Sequence, residues 1–250
     1  VMDAGAIVRF GSLTAYGDRY RGRGFHLVDM EGMVKPPAVK RERLDRPSSD
    51  GQFTTPAFLQ GRVGGFAGFC VAPTHTVLET MADRLRNLIT QQITVTLEYP
   101  GVRMHGQGVV TDVQFTPHGF APEGTWMVEV EFDDPFLYGE TRTFPAGVEA
   151  IQRGTRPAWP VHTVTGASFW GYTITGPSGR RIAITRPLVA GHPHTINTAT
   201  GGLLVDGVRV QGGVTVWEPW TIGPSIPGVT HTLSAEATAS LTTAVTDTYA

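Results

Sequence analysis

The chain has 250 residues, 20 basic and 22 acidic side chains, a formal net charge of −2 and a single cysteine, Cys70. Near-neutral charge argues against a dedicated nucleic-acid binder, and one cysteine excludes an internal disulfide and any cysteine-based zinc site. No run of 18 apolar residues and no basic-then-apolar leader occurs, so neither a membrane span nor a signal peptide is expected.

Glycine (31) and proline (18) are frequent and follow no fixed period, which suits many short strands joined by turns. Lys35 and Lys40 are the only lysines among the 20 basic residues. Arginine suits fixed bidentate contacts at subunit interfaces, although a GC-rich genome produces the same bias.

From the N-terminus, Ala6–Leu13 and Phe25–Asp29 read as strands. The stretch from Lys35 to Gly51 holds Pro36, Pro37 and Pro47, the basic residues Lys35, Lys40, Arg41, Arg43 and Arg46, and little apolar content. It is expected to be a long irregular loop without a core of its own, either a solvated mobile surface or a contact segment. Val63–Val71 reads as the next strand. The glycine-rich run Gly61-Arg62-Val63-Gly64-Gly65 lacks the lysine and the following helix of a phosphate loop, so its glycines mark a bulge or a close backbone approach.

One segment has helical spacing. Apolar residues fall at 77, 78, 81, 85, 88 and 89, predicting a helix over Val77–Ile89 that buries Leu85 on a sheet. Thr76 and Glu79 form a T-x-x-E capping box at its start, and Pro73 stops the preceding strand. Strands follow at Ile93–Tyr99, Val109–Phe115 and Trp126–Phe132. In the last, Trp126, Val128, Val130 and Phe132 alternate with Met127, Glu129 and Glu131, one face buried and one wet. Asp133-Asp134-Pro135 is a turn, because adjacent carboxylates on extended chain point to opposite faces and do not share a substrate.

The turn-rich run Ile151–Pro160 (IQRGTRPAWP) places a domain boundary at residue 155, giving domains 1–155 and 156–250. Downstream, strands are expected at Ser168–Thr175, Arg181–Thr185, His194–Asn197, Gly202–Val205, Val208–Gln211, Val214–Trp217 and Ala239–Tyr249. Asp206-Gly207 between apolar runs signals a two-residue hairpin. From Pro187 to Ala250 only Asp206, Arg209, Glu218, Glu236 and Asp247 are charged, a composition that reads as a β-sandwich. His192-Pro193-His194 has metal-ligand spacing but no acidic residue between Glu149 and Asp206 to join it, and reads as a turn. Gly176-Pro177-Ser178-Gly179 lacks nucleophile-elbow spacing and reads as a hairpin turn. Trp159, Trp170, Trp217 and Trp220 are either core residues or a sugar-stacking platform.

Several segments in order resemble the distal tail protein (Dit) family of siphovirus-type tailed phages. They are GFHLVDMEGM at 24–33, the arginine-rich PPAVKRERLDRPSSDGQF at 36–53, GRVGGFAGF at 61–69, the helix, and WMVEVEFDDPFLYG at 126–139. Trp159-Pro160, INTATGGLLVDG at 196–207 and LTTAVTDTY at 241–249 extend the likeness over nearly the whole chain. The resemblance implies a mainly β protein: an N-terminal ring-forming β-barrel-like domain with one helix, then a C-terminal galectin-like β-sandwich. It implies a structural virion protein rather than an enzyme, without cofactor or metal. Such a minor tail protein forms a hexameric ring joining the tail tube to the distal tip, baseplate and receptor-binding apparatus. Its partners are further copies of itself, the tail tube protein, a tail-tip hub or tail-associated protein and the tape measure protein, with no membrane and no specific nucleic acid. Assembly takes place in the host cytoplasm. In a ring, Arg41, Arg43 and Arg46 find their contact in the neighbouring subunit, at Glu129, Glu131 or Asp133. The chain lacks room for a large carbohydrate-binding insertion. Two alternatives remain: a tail-associated carbohydrate-binding module using the tryptophans of the sandwich, and a hydrolase of unfamiliar geometry.

Overall fold

The computed structural model describes residues 5–17, 22–224, 227–236 and 238–250. The chain divides into two compact units, one ending at Leu137 and the other spanning Tyr138–Tyr249.

The first unit contains β1 (Ile7–Phe10), β2 (Leu13–Tyr16), β3 (Gly24–Glu31), β4 (Val39–Arg41), β5 (Leu44–Asp45), β6 (Gln52–Phe53), β7 (Ala57–Leu59), β8 (Arg62–Val71), α1 (His75–Arg86), β9 (Gln92–Tyr99), β10 (Val102–Pro117) and β11 (Glu123–Phe132). Seven of these strands run in the order β11-β8-β3-β2-β1-β9-β10, and pairing of β10 with β11 closes them into a barrel. Closure leaves no free edge. The pattern Trp126–Phe132 behaves as its alternation requires, with Trp126, Val128, Val130 and Phe132 buried and the residues between them turned outward. Phe10 packs edge-on against Phe66 at 4.8 Å between ring centres, and Trp126 donates its indole N–H to the Phe69 carbonyl at 3.1 Å.

The expected single strand Ala6–Leu13 is two strands. Gly11, at φ +57°, turns the chain so that Phe10 pairs with Leu13. The buried residues switch parity across that turn, from Val8 and Phe10 to Leu13 and Ala15.

The helix begins and ends earlier than its apolar spacing indicates, at His75 and Arg86. Thr74, extended directly after Pro73, is the N-cap, and its hydroxyl oxygen accepts from the Val77 N–H at 3.3 Å. The expected Thr76–Glu79 capping box is therefore not formed; Glu79 lies instead 3.7 Å from Arg86, about two turns along. Leu78, Ala82 and Leu85 form the buried stripe, and Leu85 is fully buried. Leu85→Ala is expected to remove about 3 kcal/mol of stability, through lost transfer energy and the cavity left behind. Urea unfolding checks this, and an unchanged midpoint contradicts it.

The second unit contains β12 (Leu137–Pro145), β13 (Glu149–Ala150), β14 (Val161–Thr165), β15 (Tyr172–Thr175), β16 (Arg181–Ile184), β17 (His194–Asn197), β18 (Leu203–Val205), β19 (Val208–Val210), β20 (Val214–Trp217), β21 (Val229–Thr230), β22 (Thr232–Ser234) and β23 (Ser240–Tyr249). One layer runs β12-β23-β14-β17-β18-β19 and the other β20-β16-β15-β22, with β13 and β21 forming a separate pair. Val164, Ile196, Leu203 and Leu241 of the first layer meet Tyr172, Ile174, Ile182 and Ile184 of the second in one core, which makes this unit a β-sandwich. The Asp206-Gly207 hairpin forms as its sequence demands, with φ of +51° and +78° at the two central residues.

The division at Leu137 falls upstream of the boundary expected at residue 155. The turn-rich segment around Gly154 packs against β23: the Thr155 and Arg156 N–H groups both donate to the Thr248 carbonyl, at 2.9 and 3.0 Å.

Candidate assembly surface

The stretch expected to be an irregular loop is a two-stranded arm, and it extends to Leu59. β4 pairs with β7, Val39 opposite Leu59 and Arg41 opposite Ala57; β5 pairs with β6, Leu44 opposite Phe53 and Asp45 opposite Gln52. Proline and charge concealed this pairing, because strands of two or three residues carry no period to read. Cross-strand contacts hold the ribbon. Gln52 donates to the Asp45 carboxylate at 2.9 Å, the Thr55 hydroxyl donates to the Glu42 carbonyl, and the Arg46 guanidinium sits 5.7 Å from the centre of the Phe53 ring.

At the root of the arm, Arg62 is buried. It donates to the carbonyls of Met33 at 2.9 Å, Gly32 at 3.3 Å and Pro135 at 3.1 Å, tying the segment that enters the arm to the segment that leaves β11. Burial lowers the pKa of this guanidinium, and Asp134 opposes the shift.

Beyond that root, residues 38–60 are exposed throughout, except for partial cover of Thr55 and Leu59. Phe58 is 67% exposed, Val39 61%, Phe53 52% and Leu44 50%. An isolated hairpin is at best marginally stable in water, and this one displays apolar side chains on both strands.

The carboxylates lie on the barrel wall. Glu129 and Glu131 stand two residues apart on the outward face of β11, and Asp133 follows its end. Glu131 is in register with Val63 of β8 and Val109 of β10, both exposed, so carboxylates and valines share one face. Glu129 is in register with Asp112 of β10, a fourth carboxylate that the sequence pattern does not single out, because a bulge at Val110–Asp112 sets its register. Thr111 donates to the Glu129 carboxylate at 3.4 Å. Among the described residues, none of Arg41, Arg43, Arg46, Glu129, Glu131 and Asp133 forms an ion pair within the chain.

The other candidates separate. His192 pairs with Asp206 at 2.6 Å at the surface, while His194 is buried with its Nδ1 3.0 Å from the Tyr172 hydroxyl, so the two imidazoles face different surroundings. Among the described residues no three His, Cys, Asp or Glu side chains converge as a metal site. Asp134 accepts from the Phe136 N–H at 2.9 Å, the geometry of a turn. Gly176–Gly179 turns β15 into β16, with Ser178 at φ +55°. Trp220 is buried and Trp217 packs on the sandwich core, whereas Trp159 is 47% and Trp170 80% exposed.

A closed β-barrel with one helix and a long arm is followed in the chain by a β-sandwich. Over 98% of this chain and 99% of the other, the structure is similar to that of the SPP1 Dit protein, at a TM-score of 0.76 and 11% sequence identity; that protein is described as a paradigm of the hub adsorption apparatus in phages infecting Gram-positive bacteria. Two structures of the phage P2 baseplate in its activated conformation, with calcium and with strontium, match at TM-scores of 0.49 and 0.48 and 8% identity. No protein-family model matches the sequence, and no curated protein matches it. The chain is Dit-like in fold.

Proposed function

We propose that this protein is a structural subunit of a phage tail tip, a hexameric ring that joins the tail tube to the distal tip and its receptor-binding apparatus. The likeness to SPP1 Dit over the full length of both chains carries this reading. The ring places the chain in the virion after assembly in the host cytoplasm. Its neighbours are further copies of itself, the tail tube protein, a tail-tip hub protein and the tape measure protein. No cofactor enters the role. Reconstruction of the tail tip is expected to show six copies around the tail axis; density for the chain outside any ring overturns the reading.

A second reading, a glycan-binding role for the sandwich, draws on Trp170, which stands out beside Phe169 in an edge-to-face pair at 4.8 Å. Trp170→Ala is expected to leave the melting temperature unchanged, as exposed substitutions do within about 0.5 kcal/mol. Glycan-array binding that this substitution abolishes supports the second reading, and an array without hits removes it. No observation among the described residues favours a hydrolase.

A further inference from the structure

Tight turns favour glycine, proline, asparagine, aspartate and serine, yet the turn Ser168-Phe169-Trp170-Gly171 carries two large aromatic residues at its centre. The turn is fixed at both ends. Ser168 is buried and exchanges backbone hydrogen bonds with Leu188 at 3.0 and 2.9 Å, and its hydroxyl donates to the Gly171 carbonyl. Gly171, at φ +78°, comes so close to β16 that a Cβ there would stand 2.0 Å from the Ile184 carbonyl oxygen. Phe169 and Trp170 are thus held out on a fixed tip, 66% and 80% exposed, with their ring planes at 89°. Two perpendicular rings open to solvent make two walls of a cage that is in place before a ligand arrives.

A carboxylate stands beside this corner. The Phe169 N–H donates to Glu236 at 3.1 Å, and the Thr238 hydroxyl donates to the Ala167 carbonyl at 2.9 Å, tying the segment before β23 to the turn. Glu236 is exposed and, among the described residues, forms no ion pair. Aromatic ring faces and a carboxylate are all negative, and what they attract together is a cation. A primary ammonium brings three N–H donors that need acceptors, but the carbonyls of Ala167, Ser168 and Gly171 already accept within the protein. The hydroxyls of a sugar meet the same shortage. A quaternary ammonium has no N–H to satisfy and presents methyl groups to the rings. We propose that Phe169, Trp170 and Glu236 form a binding site for a quaternary alkylammonium group, the charged end of a choline-type molecule. Beside Glu236, a cleft of about 430 Å³ lined by Leu233, Ala239 and Leu241 gives room for what the cation is attached to. The proposal rests on the second reading's premise that Trp170 meets a ligand, and changes that ligand from a sugar to a cation.

Ligand-observed NMR titration of the full chain tests the site. Choline is expected to bind about fivefold more tightly than its uncharged analogue, in which a tert-butyl group replaces trimethylammonium. Trp170→Ala is expected to abolish choline binding. Glu236→Gln, whose amide oxygen still accepts from the Phe169 N–H, is expected to weaken it about threefold without moving the melting temperature. Equal affinity for choline and its analogue overturns the proposal and leaves an apolar tip. Hits on a glycan array without choline binding overturn it too, while the second reading stands; binding of neither ends both. Where choline binds, co-sedimentation with phosphatidylcholine but not phosphatidylglycerol vesicles assigns the cation to a lipid head group. Choline binding without co-sedimentation assigns it to a soluble or polymer-borne source. The tail-subunit reading is independent of every one of these outcomes.

Discussion

Lowering the pH from 7 to 4 is expected to destabilise the sandwich by about 6 kcal/mol, enough to unfold a domain of ordinary stability. The cause is a pair of buried histidines. His162 and His231 have ring centres 5.0 Å apart, and both lie beside Trp220. An indole N–H only donates, so the 2.9 Å contact between Trp220 Nε1 and His231 Nε2 makes that nitrogen the acceptor and puts the ring proton on Nδ1. Among the described residues, His231 Nδ1 and His162 Nε2 have no hydrogen-bond partner, while His162 Nδ1 lies 3.0 Å from the Thr243 hydroxyl. Burial first, and then the neighbouring His231, push the His162 pKa down to about 3; burial alone takes His231 down to about 4. No carboxylate offsets either shift.

The sign follows from where the protons go. An unfolded histidine takes a proton near pH 6.5, whereas the folded pair refuses it until pH 3 to 4, so the unfolded state binds more protons throughout that window. Stability is complete above pH 6.5 and falls with acid, by about 1.4 kcal/mol per pH unit for each imidazole. His194 adds to the trend in the same unit, since burial and Arg186 lower its pKa against the pull of Asp206. Denaturant titrations between pH 6.5 and 5 isolate the effect, because most carboxylates stay ionised there. Unfolding midpoints that do not move across that interval, read by Trp220 fluorescence, contradict the account.

These histidines also mark a limit of sequence reading. His162 lies in β14, a strand the sequence pattern did not single out, and its burial against His231 depends on a contact between distant segments that no local pattern records. Features with a local cause were legible. The alternation of β11, the αL-tolerant Asp206-Gly207 pair and the apolar stripe around Leu85 each arise from neighbouring residues, and each formed. The misreadings share another origin. The β1–β2 turn hid because a two-residue turn looks like one more strand position unless the parity of buried residues is followed. The Gly154 segment looked like a linker because its glycine and prolines resemble one; yet a Cβ at Gly154 would stand 2.0 Å from the Thr248 carbonyl oxygen, so this glycine permits close packing on β23. The candidate surface was half legible. Alternation placed Glu129 and Glu131 outward and composition singled out the arm's arginines, but Asp112, Val63 and Val109 joined the carboxylates only through strand register.

Strand register also produces the largest expected single-residue effect. Gly65 and Gly68 lie in the same strand, β8, and look alike in sequence. Gly68 faces the point where β3 slips register between Leu27 and Asp29, a bulge that brings the two backbones together. A Cβ at Gly68 would stand 1.8 Å from the His26 carbonyl oxygen and 3.0 Å from the Trp126 ring. The first of those contacts is with backbone, which cannot rotate away as a side chain can, so the β3–β8 ladder would have to open. Gly68→Ala is therefore expected to remove about 4 kcal/mol or more, in the range reserved for disrupted cores and backbone conflict. Gly65 meets nothing within 4 Å at the same test position. Gly65→Ala is expected to be neutral or to stabilise by about 0.5 kcal/mol, because alanine surrenders less backbone entropy on folding. Urea titrations of the two variants beside the parent chain decide the matter. Equal losses at both positions would mean that the strand is merely intolerant of side chains; a loss confined to Gly68 shows that the barrel closes over a backbone contact only glycine permits.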